Sequence, residues 1–162
     1  MDRLWTPWRY RYVSSHSGET SPDRCIFCTQ PAANEDEKYY IVLRAARNFV
    51  MLNLFPYTNG HLLIAPYEHV DKLVDAHPDT LTEMMQLAVR CEAALRALYN
   101  PDGINVGMNL GQAAGAGVAG HIHLHMLPRW SGDASFLSTV AETRMLPEEL
   151  AVTYKRLKDA LS

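Results

Sequence analysis

The feature that most constrains this chain is the run Gly120–Trp130, in which histidines alternate with apolar residues. His121, His123 and His125 are each followed by an apolar side chain. In a β-strand, the three histidines would line one face about 7 Å apart, and the apolar residues would enter a core on the other face. A helix would spread the same side chains around its axis. The pattern therefore predicts a strand with an imidazole face.

Three imidazoles on one strand face indicate metal binding or proton and phosphoryl chemistry, because imidazole changes charge near neutral pH. One hypothesis is a catalytic metal bound by all three histidines. On an unbent strand, however, His121 and His125 would lie about 13 Å apart, too far to share an ion. Metal analysis of variants would distinguish a catalytic metal bound by the triad from proton or phosphoryl chemistry without one.

The composition is that of a single globular domain. Of the 162 residues, 48% are hydrophobic and 20% are charged, and the net charge is −3. This charge gives no basic field for duplex nucleic acid, and no stretch has the length and hydropathy of a signal peptide or membrane span. Three cysteines, two of them in a Cys-x-x-Cys, suggest a reducing compartment. We expect a cytoplasmic protein without nucleic-acid or membrane partners.

Residue content and hydrophobic periodicity predict five strands and two helices. The expected strands are 39–43, 48–54, 61–65, 103–110 and the histidine strand. One long helix is expected over 79–99, with an apolar face that includes Met84 and Met85, and a terminal helix is expected to start with Pro147 in its first turn. The expected divisions are an arm and linker at 1–24, the main domain at 25–136 and a helical extension at 137–162. The aromatic, basic segment 4–12 would stack on a base or pack over the domain or a second subunit.

Two short motifs need a structural context to be interpreted. Cys25 and Cys28 form either half of a zinc site or a redox pair; a loop before them and Pro31 after them argue against a thioredoxin-like motif. A literal G-x-G-x-x-G ends at Gly120, but it leads into the histidine strand instead of a helix. A dinucleotide-binding Rossmann unit is therefore rejected.

At the histidine run the sequence resembles a known family. Residues 121–127 match the motif His-φ-His-φ-His-φ-φ, with φ apolar, of the histidine-triad (HIT) nucleotide hydrolases and transferases. The tail 128–133 resembles the branch that contains the fragile-histidine-triad and dinucleoside polyphosphate enzymes, and the similarity extends from about Leu4 to Phe136. The resemblance implies an α+β HIT-like fold with an antiparallel sheet of about five strands, a homodimer and a small-molecule nucleotide substrate.

The resemblance also implies catalytic roles. His123 is similar to the histidine that attacks the α-phosphorus and forms a nucleotidyl-histidine, and His125 and His61 would assist. The enzyme would thereby cleave adenosine nucleotides such as dinucleoside polyphosphates. The alternative is a non-catalytic nucleotide-binding protein. A turnover assay together with a titration of adenosine monophosphate (AMP) would distinguish the two hypotheses.

The same resemblance implies a structural zinc ion. Its ligands would be Cys25, Cys28, His69 and His121, because bacterial members hold zinc with a cysteine pair, a mid-domain histidine and the first triad histidine. The alternative is a vestigial cysteine pair. Magnesium would accompany the polyphosphate substrate only.

Nucleotide contacts are expected from four further residues. Asn53 stands where the family binds ribose, and we expect Asn109, Gly115 and Gly117 to contact phosphate together with His123 and His125. Gly117 replaces a glutamine that positions phosphate in the fragile-histidine-triad hydrolases. Water is the expected acceptor of the nucleotidyl group, with Gln112 or a second water molecule replacing the missing amide. The alternative acceptor is inorganic phosphate, for which Gly117 leaves space.

Overall fold

A computed structural model describes residues 21–134 and 147–162. Within these ranges the five strands and three α-helices are β1 (Ile41–Arg44), β2 (Asn48–Leu52), β3 (Leu62–Pro66), β4 (Gly103–Gly107), β5 (Leu124–Arg129), α1 (Ile26–Ala32), α2 (Pro78–Tyr99) and α3 (Leu150–Leu161). The aromatic segment 4–12 lies outside the described residues, as does most of the linker. No helix in the described ranges has the length and apolar character needed to cross a membrane.

All five strands form one antiparallel sheet in the order β1-β2-β3-β5-β4. This confirms the predicted α+β class and sheet. β3 and β5 lie side by side, with Leu63 opposite His125. His61, which directly precedes β3, and the strand that carries His125 are therefore neighbours.

The central strands are buried on both faces. Along β2, Val50 and Leu52 pack into the cluster beneath α2, whereas Phe49 and Met51 enter a second cluster that contains Cys25 and Phe27 of the α1 region. This alternation is the expected consequence of a two-residue repeat. It places α2 on one side of the sheet and α1 on the other.

The long helix α2 covers the larger cluster. Met84, Cys91 and Leu95 are buried in it, as the helical period predicts, but Met85 is 56% exposed and does not belong to the core-facing stripe. The terminal helix α3 packs on α2 and β1, and its Leu157 is fully buried. The terminal helix therefore covers the sheet at β1.

The predicted start of the terminal helix was wrong by a few residues. Pro147 precedes the helix, which begins at Leu150. The carboxylate of Glu148 accepts hydrogen bonds from the Tyr99 hydroxyl (2.8 Å) and the Thr153 hydroxyl (2.7 Å), and the Arg156 guanidinium also donates to it. These bonds tie the segment before the helix to the end of α2.

The histidine strand also begins later than predicted. β5 starts at Leu124, so His125 lies on the paired strand whereas His121 and His123 lie in the extended segment before it. There the Ile122 amide donates to the Val70 carbonyl (2.8 Å). This bond draws the segment away from β3 and towards the loop after it, which shortens the ladder. The remaining predicted bounds differ from the observed strands by one to three residues at an end.

Candidate active site

Four histidine rings form a row at the edge of the β3–β5 pair. The ring centroids of His123 and His125 are 4.9 Å apart, and those of His125 and His61 are 5.2 Å apart. His121 and His123 both pack against the ring of Phe27, at 5.3 Å and 4.8 Å. Ile122, Leu124 and Met126 are buried, as the alternation predicts. The row brings the three residues predicted to be catalytic into contact.

His123 is held in one tautomer by its own chain. Its Nδ1 lies 2.9 Å from the backbone oxygen of His121. Because a carbonyl oxygen only accepts, Nδ1 carries the proton and Nε2 keeps its lone pair. His123 therefore presents a nucleophilic nitrogen.

His125 is held in a tautomer that presents a proton, and His61 imposes it. The backbone N–H of Tyr57 donates to Nδ1 of His61 (3.2 Å), so the proton of the neutral His61 ring is on Nε2. That Nε2–H donates to Nδ1 of His125 (2.9 Å). The Nε2 of His125 must then carry a proton. Neighbouring rings thus offer one lone pair, from His123, and one donor, from His125.

Asn53 strengthens this assignment. Its Oδ1 accepts from the Phe55 amide (3.0 Å), so its NH2 group faces Nδ1 of His61 at 3.2 Å. Two donors thus converge on the same nitrogen of His61 and keep it an acceptor. Asn53 was predicted only as a nucleotide contact, and its bond to His61 is an additional feature.

Burial keeps the two central rings neutral at physiological pH. Burial lowers the pKa of His123 below its ordinary range, although the bond to the His121 carbonyl opposes that shift. Burial and the adjacent His123 lower the pKa of His125 to about 4. An imidazole must be unprotonated to act as a nucleophile, so this environment suits the lone pair on His123.

A second group lies at the other end of the row. Cys28 Sγ is 3.2 Å from Nδ1 of His69 and 3.6 Å from Nδ1 of His121, and Cys25 Sγ is 3.4 Å from the same His121 atom. The four candidate ligand atoms lie within 4.8 Å of one another. A tetrahedral zinc site with ordinary bond lengths has sulfur–nitrogen edges of about 3.6 Å. The separations fit a tetrahedral metal ion.

The protonation chemistry of this group fits a cation as well. Nε2 of His121 lies 2.9 Å from the Pro66 carbonyl and so carries the proton, which leaves the Nδ1 lone pair facing the sulfurs. Burial lowers the pKa of His121 to about 4, and burial together with Cys25 raises the pKa of Cys28 to about 11. Two adjacent thiolates repel each other unless a cation lies between them. Cys25, Cys28, His69 and His121 can therefore bind a metal ion.

The hypothesis of one catalytic metal shared by the triad does not match this arrangement. His121 turns its lone pair towards the cysteines, Nδ1 of His123 is bound to a carbonyl, and Nδ1 of His125 is bound to His61. The three rings therefore do not converge on one point.

The glycine-rich loop forms a third group. Asn109 Nδ2 contacts the Gly115 carbonyl at 3.4 Å, and Gly115 adopts a left-handed conformation (φ 90°). Val118 packs against the cluster that contains Cys25 and Phe27, so the loop containing Gly117 returns over the cysteine end of the row. The loop ends in the segment leading to β5, which agrees with rejection of the Rossmann motif.

Sequence reasoning missed three contributors to this site. These are Phe27, Tyr57 and the backbone carbonyl of Pro66, to which the sequence assigned no role in the site. Tyr57 also stacks nearly parallel to His125, with centroids 6.4 Å apart. An aromatic residue between the cysteines of a Cys-x-x-Cys could have indicated the role of Phe27. A backbone amide or carbonyl leaves no such signal in the sequence.

Comparison with known proteins places this geometry in a family. The HIT domain model matches residues 34–132. The AP-4-A phosphorylase of Mycobacterium tuberculosis is 34% identical over 161 residues, which cover 97% of this chain and 83% of the relative. The asymmetrical bis(5′-nucleosyl)-tetraphosphatase of Schizosaccharomyces pombe is 28% identical over 114 residues, which cover 70% of this chain and 59% of the relative.

A solved structure gives the same assignment. The zinc-bound histidine triad family protein of Mycobacterium smegmatis superimposes with a TM-score of 0.71 at 29% identity, covering 87% of this chain and 95% of that one. These findings confirm the resemblance inferred from the triad and its tail. With its histidine row, its five-stranded sheet and a domain match over most of its length, this chain belongs to the HIT-domain family.

Proposed function

We propose that this protein cleaves dinucleoside polyphosphates such as diadenosine tetraphosphate at the α-phosphorus through a nucleotidyl-histidine on His123. The observation that carries the proposal is the pair of opposite tautomers in adjacent rings. His123 offers a lone pair, and His125, whose ring centroid is 4.9 Å away, offers an N–H. One phosphoryl group reaches both.

In the first step, Nε2 of His123 attacks the α-phosphorus in line with the bridging oxygen. A bond forms between nitrogen and phosphorus, and the bond from phosphorus to the bridging oxygen breaks. The leaving nucleoside polyphosphate is stable as an anion near neutral pH, so it needs a hydrogen bond more than a full proton. The Nε2–H of His125 supplies that bond where negative charge develops.

His61 acts in this scheme through His125. By donating to Nδ1 of His125 it keeps the proton on the nitrogen that faces the leaving group. Its own tautomer is fixed by the Tyr57 amide and the Asn53 side chain.

Nucleotide binding is assigned to residues around the row. Asn53 has a second amide hydrogen and a second lone pair beyond its bonds to His61 and Phe55, and these are proposed to hold the ribose. Asn109 stabilises the loop at Gly115, and the backbone around Gly115 and Gly117 is proposed to contact the phosphates.

Inorganic phosphate is the acceptor we favour for the second step. The sequence alone favoured water, but a relative named AP-4-A phosphorylase matches nearly the whole chain, and Gly117 offers no side chain to orient water. Attack by phosphate on the nucleotidyl-histidine would release adenosine diphosphate (ADP) and regenerate His123. Water is the second candidate, supported by the similarity to a tetraphosphatase.

The cysteine–histidine group is proposed to hold a structural zinc ion. Cys25, Cys28, His69 and His121 supply a closed four-ligand set of the kind found in structural sites. When bound, the ion would stabilise the segment that leads into β5 and would take no part in the chemical steps. Magnesium is proposed only as a companion of the polyphosphate.

We further propose that the protein is a homodimer in the cytoplasm. β4 lies at an edge of the sheet, its middle residues are exposed, and Val106 is 50% exposed. Such an edge is suited to pairing with a second chain. A reduced cysteine pair suits a reducing compartment, and a net charge of −3 favours neither nucleic acid nor anionic membranes as partners.

The test is to incubate the protein with diadenosine tetraphosphate, with and without millimolar phosphate, and to separate the nucleotide products by chromatography. The expected result is faster turnover with phosphate and formation of ADP. AMP without ADP would assign water as the acceptor. Tight AMP binding without any turnover would overturn the enzymatic proposal.

A further inference from the structure

Phe27 links the cysteine pair to the row of histidines. It is one of the two residues between Cys25 and Cys28 and is 1% exposed. Its ring lies against two triad histidines, with its centroid 5.3 Å from that of His121 and 4.8 Å from that of His123. Both separations are within the range that favours contact between aromatic rings.

His123 needs such a contact if its lone pair is to aim at one point. The bond from Nδ1 to the His121 carbonyl fixes the tautomer, but one hydrogen bond leaves the ring free to pivot. Packing from the sides must limit that motion. Phe27 meets the His123 ring at 34° between planes, and His125 meets it at 62°. These two neighbours set the plane in which Nε2 lies.

The position of Phe27 depends in turn on the cysteines. Cys25 is the N-cap of α1, and the Cys28 amide donates to the Cys25 carbonyl at 3.0 Å, which closes a turn around Phe27. The sulfur atoms at both ends of this turn face Nδ1 of His121. A change at the sulfurs therefore moves the backbone that carries the phenylalanine ring.

We propose that Phe27 is a positioning residue for the nucleophile, and that it transmits the state of the cysteine–histidine group to His123. The inference rests on the proposed role of His123. Phe27 touches no reacting atom in this scheme. It restricts the motion of the His123 ring, which attacks the phosphorus.

Phe49 provides a matched control. It is fully buried in the same cluster as Phe27, but its aromatic contact is with Tyr67, at 5.4 Å, and it has no place in the proposed mechanism. Phe27→Leu and Phe49→Leu each replace a buried ring by a smaller apolar side chain. Any general effect of a loosened cluster should appear in both.

The experiment measures kcat, the Kd for AMP, bound metal and the urea midpoint for both variants. For Phe27→Leu we expect kcat to fall about 10- to 100-fold, because a small misplacement of a reacting group costs up to about 100-fold. Kd for AMP should change less than about threefold, and metal content should match that of Phe49→Leu. Equal kcat values in the two variants would overturn the proposal. If Phe27→Leu does not fold, Phe27→Met, which preserves more volume, is measured against the same criteria.

A double-mutant cycle tests the transmission. If the cysteine group acts on His123 through Phe27, Cys28→Ser and Phe27→Leu should lower kcat less together than the product of their separate effects. Independent, multiplicative effects would overturn the transmission.

Failure of the proposed function is recognised separately. Relaxation NMR of the metal-loaded protein at pH 8 should find the His123 ring rigid in the wild type and in Phe49→Leu, and mobile in Phe27→Leu. This measurement does not involve turnover. Full activity in His123→Ala beside a mobile His123 ring in Phe27→Leu would refute the nucleophile but keep the positioning. A His123 ring that is equally rigid in all three proteins would refute the positioning.

Discussion

Replacement of His61 tests the tautomer assignment most sharply. In His61→Asn the side-chain oxygen can still accept from the Tyr57 amide, but no donor reaches Nδ1 of His125. His125 is then free to move its proton to Nδ1 and to present a lone pair to the leaving oxygen. The lost bond is short, 2.9 Å, and lies in a buried site, with His61 1% exposed. To the extent that the proton moves, the developing anion loses the donor on His125, which costs up to about 3–4 kcal/mol, or roughly 100- to 1000-fold in kcat.

His61→Gln is the matched variant. The glutamine amide reaches about as far as Nε2 of histidine and can still donate to His125, so we expect kcat to fall by less than about tenfold, since the donor is retained. The assay is kcat for a series of adenylylated substrates whose leaving groups differ in pKa. His61→Asn should make log kcat depend more steeply on leaving-group pKa than it does in the wild type. An equal loss with every leaving group, or equal losses in both variants, would refute the reasoning.

Three further predictions concern stability. Gly60→Ala should cost about 1–3 kcal/mol more than Gly132→Ala in urea unfolding, because of crowding in a packed site. Both glycines have φ near 80°, but a Cβ at Gly60 would lie 3.1 Å from Leu95 Cδ2, whereas a Cβ at Gly132 would meet nothing within 4 Å. Equal losses of stability in the two variants would contradict the prediction. Cys28→Ser or chelation should lower the melting temperature, since a closed metal site contributes folding free energy, and an unchanged melting temperature would reject the site. The pKa of His125 is about 4 in the folded state and 6.5 in its reference state, so the unfolded chain binds the proton first as pH falls. The contribution of His125 to the free energy of unfolding should therefore decrease between about pH 6.5 and pH 4, by about 1–2 kcal/mol after allowance for the partial exposure of His125. His121 and His123 contribute in the same direction, so His125→Asn should make the dependence on pH shallower. An unchanged slope would contradict the prediction.

The fold was largely predictable because its signals are local. The continuous apolar stretches in 48–52 and 62–66 and the helical period of 78–99 mark side chains that must be buried. The errors occurred where tertiary contacts override local pattern. Ile122 bonds to Val70 and so delays β5, and Glu148 is held by Tyr99 and so delays α3.

The structure brings the predicted site residues together but adds details that the sequence did not show. Spacing alone indicated that His121, His123 and His125 share a face, and the family resemblance indicated His61 and the candidate metal ligands. The tautomers could not be predicted from the sequence, because they depend on the carbonyl or amide that each ring meets after folding. The same is true of Phe27, whose partners lie 94 and 96 positions away in the sequence.

The central claim is that the nucleotide passes through His123, and trapping the intermediate tests it most directly. Protein is mixed with diadenosine tetraphosphate without phosphate, quenched within one turnover under conditions that preserve phosphoramidates, digested and analysed by mass spectrometry. The account predicts one adenylyl group on the peptide that spans the triad, with fragmentation locating it on His123. An adenylyl group on His125 or His61, or a burst of product with no adenylylated peptide, would contradict it.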